Sequence, residues 1–194
     1  MNKQLLLFGE SGSSPPEFKR VLAVFPDDYT AGQIGGLAKR LRERHGLRGK
    51  IRPLSHLHVS LPLPESMPRG PENTVELIGR VCKGVAAVMH PFEIRFERVM
   101  SFQNNAMVLV GDDHGNRGIR DLLGMLCAEF AKHHFGTGTS TFVPHLTLLY
   151  DRKRLACIPV EPVCWTVKEI VLVNSEVGAT KYHPLGRWEF GGES

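Results

Sequence analysis

The chain has 194 residues, 42% of them hydrophobic, with a formal net charge of +4 and a pI near 9.0. That apolar content fills one core and excludes a disordered chain, while no apolar run approaches the roughly 20 residues of a membrane span. Leu5-Leu6-Leu7-Phe8 is also too short for a signal-peptide core of about 7 to 15 residues, so a cytoplasmic protein with no membrane contact is expected.

Residues 9 to 19, rich in Gly, Ser and Pro, read as a loose leader, which places the boundaries at a leader of 1–18 and a single domain over 19–194. Val21 to Phe25 is a short buried strand, and a helix follows from Asp28 or Thr30, with Ile34, Leu37 and Leu41 on one face. Leu54 to Leu63 reads as a strand ended by prolines. Asn73, with Glu76 three residues on, has the form of a capping box, and the stripe Ile78, Val81, Cys82, Val85, Met89 predicts a second helix. Phe92 to Phe96 and Ala106 to Gly111 form a hairpin. A third helix carries Ile119, Leu122, Leu126 and Phe130 and stops at Gly136. Phe142 to Tyr150, Trp165 to Ser175 and Tyr182 to Phe190 complete the strands, with Gly178 and Pro184 as punctuation. Asp27, Asp28, Asp112 and Asp113 are expected to cap helices. Cys82, Cys127, Cys157 and Cys164 lack the paired spacing of a zinc site and are expected to be reduced thiols.

Two segments repeat each other. His58-Val59-Ser60-Leu61 is echoed by His145-Leu146-Thr147-Leu148, and each follows the order strand, paired acids, helix, Gly stop, histidine strand. Strand alternation puts His58 with Ser60, and His145 with Thr147, on one face of each strand. His56 shares that pattern with His58. The expected architecture is α+β: a bilobal, pseudo-twofold duplicated fold, with two antiparallel sheets lining a central cleft and helices outside. Between Lys39 and Arg52 lie seven Lys or Arg residues and one acid, Glu43, a segment that is either a solvated helix face or a phosphate-tracking surface.

Imidazole titrates near pH 6.5, so a pair in one cleft supplies one neutral base and one protonated acid. Phosphodiester chemistry needs that pairing, because a nucleophile loses a proton on one side of phosphorus while the leaving oxygen gains one on the other. Ser60 and Thr147 are placed to donate to the non-bridging oxygens. The scheme needs no metal and no cofactor, and a zinc cluster of His56, His58 and His145 would lack a carboxylate or thiolate ligand.

With its two H-x-[S/T] motifs 87 residues apart, and with Phe142-Val143-Pro144-His145-Leu146-Thr147-Leu148-Leu149-Tyr150-Asp151, Leu172-Val173-Asn174-Ser175 and Tyr182 in place, the chain resembles the two-histidine (2H) phosphoesterases over residues 19 to 190. Within them it is most similar to the RNA 2′,3′-cyclic phosphodiesterases, also known as 2′-5′ RNA ligases. The resemblance implies hydrolysis of a 2′,3′-cyclic phosphate to a 2′-phosphate, with reverse 2′-5′ ligation at the same site. It implies that His58 protonates the leaving 3′ oxygen, that His145 activates water, and that Ser60 and Thr147 hold the phosphate. Partners are then RNA 3′ ends or small nucleotides, met by a monomer. Many members carry an arginine where this chain has Tyr150, with Arg152 two residues on; Tyr150, Arg152 and His56 are therefore candidate substrate contacts. Alternatives within reach are hydrolysis of 2′-5′-linked oligonucleotides or another cyclic nucleotide, and an RNA-binding module without turnover.

Overall fold

A computed structural model describes residues 18–65, 67, 72–136, 142–176 and 181–191. The elements run β1 (Phe18–Val24), α1 (Asp28–Arg44), a 3-10 turn (Leu54–His56), β2 (Val59–Leu61), α2 (Glu72–Val88), β3 (Phe92–Ser101), β4 (Ala106–Val110), α3 (Arg117–Lys132), β5 (His145–Tyr150), β6 (Ile158–Val167), β7 (Glu169–Glu176) and β8 (Lys181–Glu189). Of the expected leader, only Phe18 is described, and it opens β1. Gly178 likewise lies outside the described residues.

The α+β expectation holds, but the strands form one sheet, in the order β6-β3-β4-β5-β2-β1-β7-β8, not two. The reason is the pairing Val59↔Leu146, which joins β2 to β5 antiparallel at the centre. The two histidine strands are therefore neighbours in one sheet and do not face each other across a gap. Each is the innermost strand of its half, flanked by β1 on one side and β4 on the other.

Strand alternation sorts the sheet into two faces. Leu22, Val24, Val59, Leu61, Met107, Leu109, Leu146, Leu148, Ile170 and Leu172 pack into the main core with Ile34, Leu37, Ile78, Val81, Leu122, Leu126 and Phe130 from the helices. All three helices thus cover the same face. Full burial of such side chains contributes about 1.5–3 kcal/mol each, and this layer is what holds the sheet in shape. The opposite face carries small buried residues, among them Ala23, Ala106, Val108, Val110 and Val171, and these lie beside the histidines in the sheet.

Helix α1 starts where Asp27 caps it, its Oδ1 accepting the Thr30 N–H at 2.8 Å, and ends before Gly46 at φ +60°. Gly35 weakens the helix but leaves room for Leu54, which occupies the space a Cβ would take. That close approach seats the 3-10 turn leading to His58.

Several sequence expectations are corrected. Leu54 to Leu63 is not one strand: residues 54–56 form the 3-10 turn, and only 59–61 pair, because prolines at 53, 62 and 64 withhold ladder donors on both sides. His56 consequently leaves the strand face of His58. Trp165 to Ser175 is divided at Lys168 between β6 and β7. Asp112 and Asp113 do not cap α3, which Asn116 precedes. Asp112 instead accepts the Gly115 N–H at 2.7 Å, and Asp113 pairs with Arg120 at 2.9 Å. The left-handed residue after α3 is His134, at φ +64°, two positions ahead of Gly136. Helix α2 begins at Glu72, one residue before Asn73, whose side chain lies outside the described residues.

Candidate active site

The pairing Val59↔Leu146 sets Ser60 against His145 and His58 against Thr147, all four on the face away from the helices. The sequence-expected quartet is therefore brought together. The two histidines are diagonal neighbours across the seam, a relation that spaces residues by about 7–8 Å.

Both imidazoles are fixed in the same way. His58 Nδ1 lies 2.8 Å from the His56 carbonyl oxygen, and His145 Nδ1 lies 2.7 Å from the Val143 carbonyl oxygen. A carbonyl only accepts, so each Nδ1 carries the proton and each Nε2 is left for the cleft. His58 Nε2 is 3.0 Å from Ser60 Oγ, which donates to it while the ring is neutral.

Each imidazole also stands between two aromatic rings. Phe25 and Tyr182 lie 5.6 and 5.7 Å from His58, and Phe102 and Phe142 lie 4.8 and 6.5 Å from His145. Enclosure has an electrostatic consequence. Burial pushes the His58 imidazole down from 6.5 to about 4; the His56 carbonyl opposes the shift, while the charges of Arg52, His56 and His145 add to it. His58 is thus neutral at pH 7 in the free protein.

His56 is buried, at 6% exposure, and its ring stacks on Tyr182 at 4.0 Å with 12° between planes. Burial and Arg52 lower its pKa, and its Nδ1 has no hydrogen-bond partner among the described residues. What it gives His58 is a backbone carbonyl, the service Val143 performs for His145. Beyond His56 and Tyr182 opens a cavity of about 900 Å³, within the range of small-molecule sites, lined also by Phe25, Lys181, His183 and Arg187. Its lining stops short of His58 and His145, so it adjoins the histidine pair without containing it.

Tyr150 closes β5, half-exposed, and the guanidinium of Arg52 lies over its ring, 5.5 Å from the centroid. Arg152 is exposed in the bend after β5. Among the described residues, no group of three or more His, Cys, Asp or Glu is placed to hold a metal ion.

A model of the 2′-5′ RNA ligase superfamily matches residues 26–179, more than half of the chain. The chain belongs to this superfamily. Among curated relatives it is 30% identical over 101 residues to an RNA 2′,3′-cyclic phosphodiesterase of Escherichia coli K12; the match spans 50% of this chain and 57% of that protein. Among solved structures, E. coli LigT complexed with 3′-AMP is 21% identical with a TM-score of 0.68, and its apo form is 19% identical with a TM-score of 0.70, each over 92% of this chain and 100% of LigT. A Thermus thermophilus structure is 21% identical with a TM-score of 0.65, over 90% and 99% of the two chains. These structures share the superfamily fold with this chain.

Sequence reading missed Arg52, Phe25, Phe102 and Tyr182 as site residues. Arg52 carried a signal, as the last cation of the basic segment six residues ahead of His58. Phe25 and Phe102 carried none, because each follows a strand that approaches the histidines only in the folded sheet, and Tyr182, near the start of β8, entered the sequence reading as part of the family resemblance and not as a site residue. For membranes, the finding among the described residues is that no helix is long and apolar enough to cross one.

Proposed function

We propose that the chain hydrolyses 2′,3′-cyclic phosphates at the ends of RNA or on small nucleotides, yielding a 2′-phosphate through His58 and His145, with reverse 2′-5′ ligation open to the same site. The observation that carries this reading is the pair of Nδ1-anchored imidazoles, each with a hydroxyl beside it, set diagonally across the β2–β5 seam. Water attacks phosphorus and gives a proton to His145 Nε2. The P–O3′ bond breaks, and the 3′ oxygen takes a proton from His58 Nε2. Ser60, Thr147 and the Arg52 guanidinium stabilise the non-bridging oxygens as charge builds there. Every part is supplied by the chain, so the scheme is metal-independent, and Arg152, exposed in the bend after β5, is left to contact the RNA strand.

His58 starts neutral, so its acid role requires the ring to take up a proton from solvent as the anionic substrate binds. An anionic phosphate beside the ring favours the charged form and restores it. The cavity next to Tyr182, with its aromatic lining, suits the nucleoside. The name of the E. coli relative, an RNA 2′,3′-cyclic phosphodiesterase, supports the substrate class.

The test is hydrolysis, in EDTA, of a 2′,3′-cyclic nucleotide and a cyclic-phosphate-ended oligoribonucleotide by wild type, His58→Ala and His145→Ala, with identification of the product. A 2′-phosphate whose formation either substitution abolishes supports the reading. Absence of turnover on both substrates sinks it, and turnover that survives both substitutions moves the chemistry elsewhere.

A further inference from the structure

Residues 48–52 and 150–154 lie a hundred positions apart in sequence, yet they form one surface at the end of the histidine seam. Ile51 bridges Leu149, and the Arg52 N–H donates to the Leu148 carbonyl at 2.8 Å, so residues 51 and 52 run alongside β5. Asp151 fastens the two segments: its Oδ2 accepts the N–H groups of Arg48 and Gly49 at 2.6 and 2.7 Å, and its Oδ1 accepts that of Lys153 at 2.8 Å. These bonds hold the Asp151 carboxyl below the usual carboxylate range, so the clamp stays charged. Lys153 Nζ reaches back to the His45 carbonyl at 2.6 Å.

Ile51 packs toward the core, so alternation turns Lys50 and Arg52 to the face of Tyr150, the face of the histidines. Arg48, Lys50, Arg152 and Lys153 are exposed. In the two segments together, six cations stand against one acid, Asp151, and that acid is spent on holding backbone. Beside the cations, Tyr150 is 49% exposed under the Arg52 guanidinium, a planar ledge of the kind on which bases stack.

We propose that Arg48, Lys50, Arg52, Arg152 and Lys153 form a track for single-stranded RNA, leading away from the histidine cleft with Tyr150 as its first stacking platform. This names the substrate class of the site proposed above and rests on that reading. The RNA backbone follows the clamped loops, while its terminal nucleotide enters the cleft.

The experiment is binding of a 5′-fluorescein-labelled uridine octamer to the full chain, followed by anisotropy from 50 to 300 mM salt. Wild type is compared with a track triple variant, Arg48→Gln, Lys50→Gln, Arg152→Gln, and with a control of equal charge change on other exposed sites, Lys83→Gln, Arg117→Gln, Lys168→Gln. Removing three phosphate contacts should reduce the slope of log K against log salt by about 2 and weaken binding at least about tenfold at low salt. The control should keep the wild-type slope. Equal losses in both triples would reduce the effect to net charge and overturn the track, as would wild-type binding without salt dependence or equally tight binding of double-stranded RNA. Melting curves confirm that both triples fold. The readout needs no turnover, so a failed hydrolysis assay and a failed track are separate results.

Discussion

Replacing His58 by Gln makes the low pKa of the imidazole measurable as stability. The unfolded chain titrates at this position near 6.5 and the folded one near 4, so between those values the unfolded state binds more protons. The contribution is therefore fully present above pH 6.5 and is lost as pH falls toward 4. At pH 4.5 the linkage relation gives a wild-type penalty of about 2.5 kcal/mol relative to pH 7, close to its full value of about 3 kcal/mol. Gln carries no proton and escapes the penalty. Urea unfolding of both proteins at pH 7.0 and 4.5 isolates the term, because all other titrating groups are shared. The stability difference between variant and wild type should move by about 2.5 kcal/mol in the variant's favour on going to pH 4.5. Parallel losses in the two proteins would show that the ring is not held neutral, and the proton-uptake step of the mechanism would fall with it.

The same argument predicts that inorganic phosphate or a 2′-nucleotide binds at pH 7 with uptake of a proton, read by calorimetry in buffers of different ionisation enthalpy, and that His58→Gln abolishes the uptake. Ser60→Ala should leave the fold intact and lower kcat by about 10²-fold, measured at saturating cyclic nucleotide, since the hydroxyl acts where charge develops. His56→Phe preserves both the carbonyl that anchors His58 and the stack on Tyr182, so kcat should change by no more than about threefold; a loss like that of His58→Ala would give the imidazole a direct role. Gly49→Ala would drive a Cβ into the Tyr150 carbonyl oxygen, and the resulting shift should cost about 1–3 kcal/mol in urea unfolding and weaken octamer binding.

Periodicity made the helices legible. The faces carrying Ile34, Leu37 and Leu41, or Ile119, Leu122 and Leu126, are the buried ones. The histidine and hydroxyl quartet was legible because a strand alternates whether or not its partner is known. What sequence did not carry was partnership between strands. Nothing in Val59 or Leu146 announces that they pair, so one sheet was read as two. The same gap hid Arg52, whose place over Tyr150 depends on the Asp151 clamp, and made Arg152 the natural candidate cation. His56 was misplaced for a local reason: spacing of two from His58 reads as a shared face only if the strand extends back that far, and the turn seated on Gly35 ends it first.

The seam at Val59↔Leu146 makes the site a matter of counting along the chain. Slide β5 by one residue against β2 and every side chain changes face: His145 and Thr147 would point into the helical core and Leu146 into the cleft. One residue inserted or deleted between histidine and hydroxyl in either motif would therefore split the pair across the two faces while leaving all four site residues in the sequence. Beyond Thr147 the strand already absorbs an extra residue at Leu148, where its register with β4 shifts. Relatives with altered loops should keep activity, and natural length variation should fall in the connections between strands, where an added residue leaves the pairing of the two histidine motifs untouched.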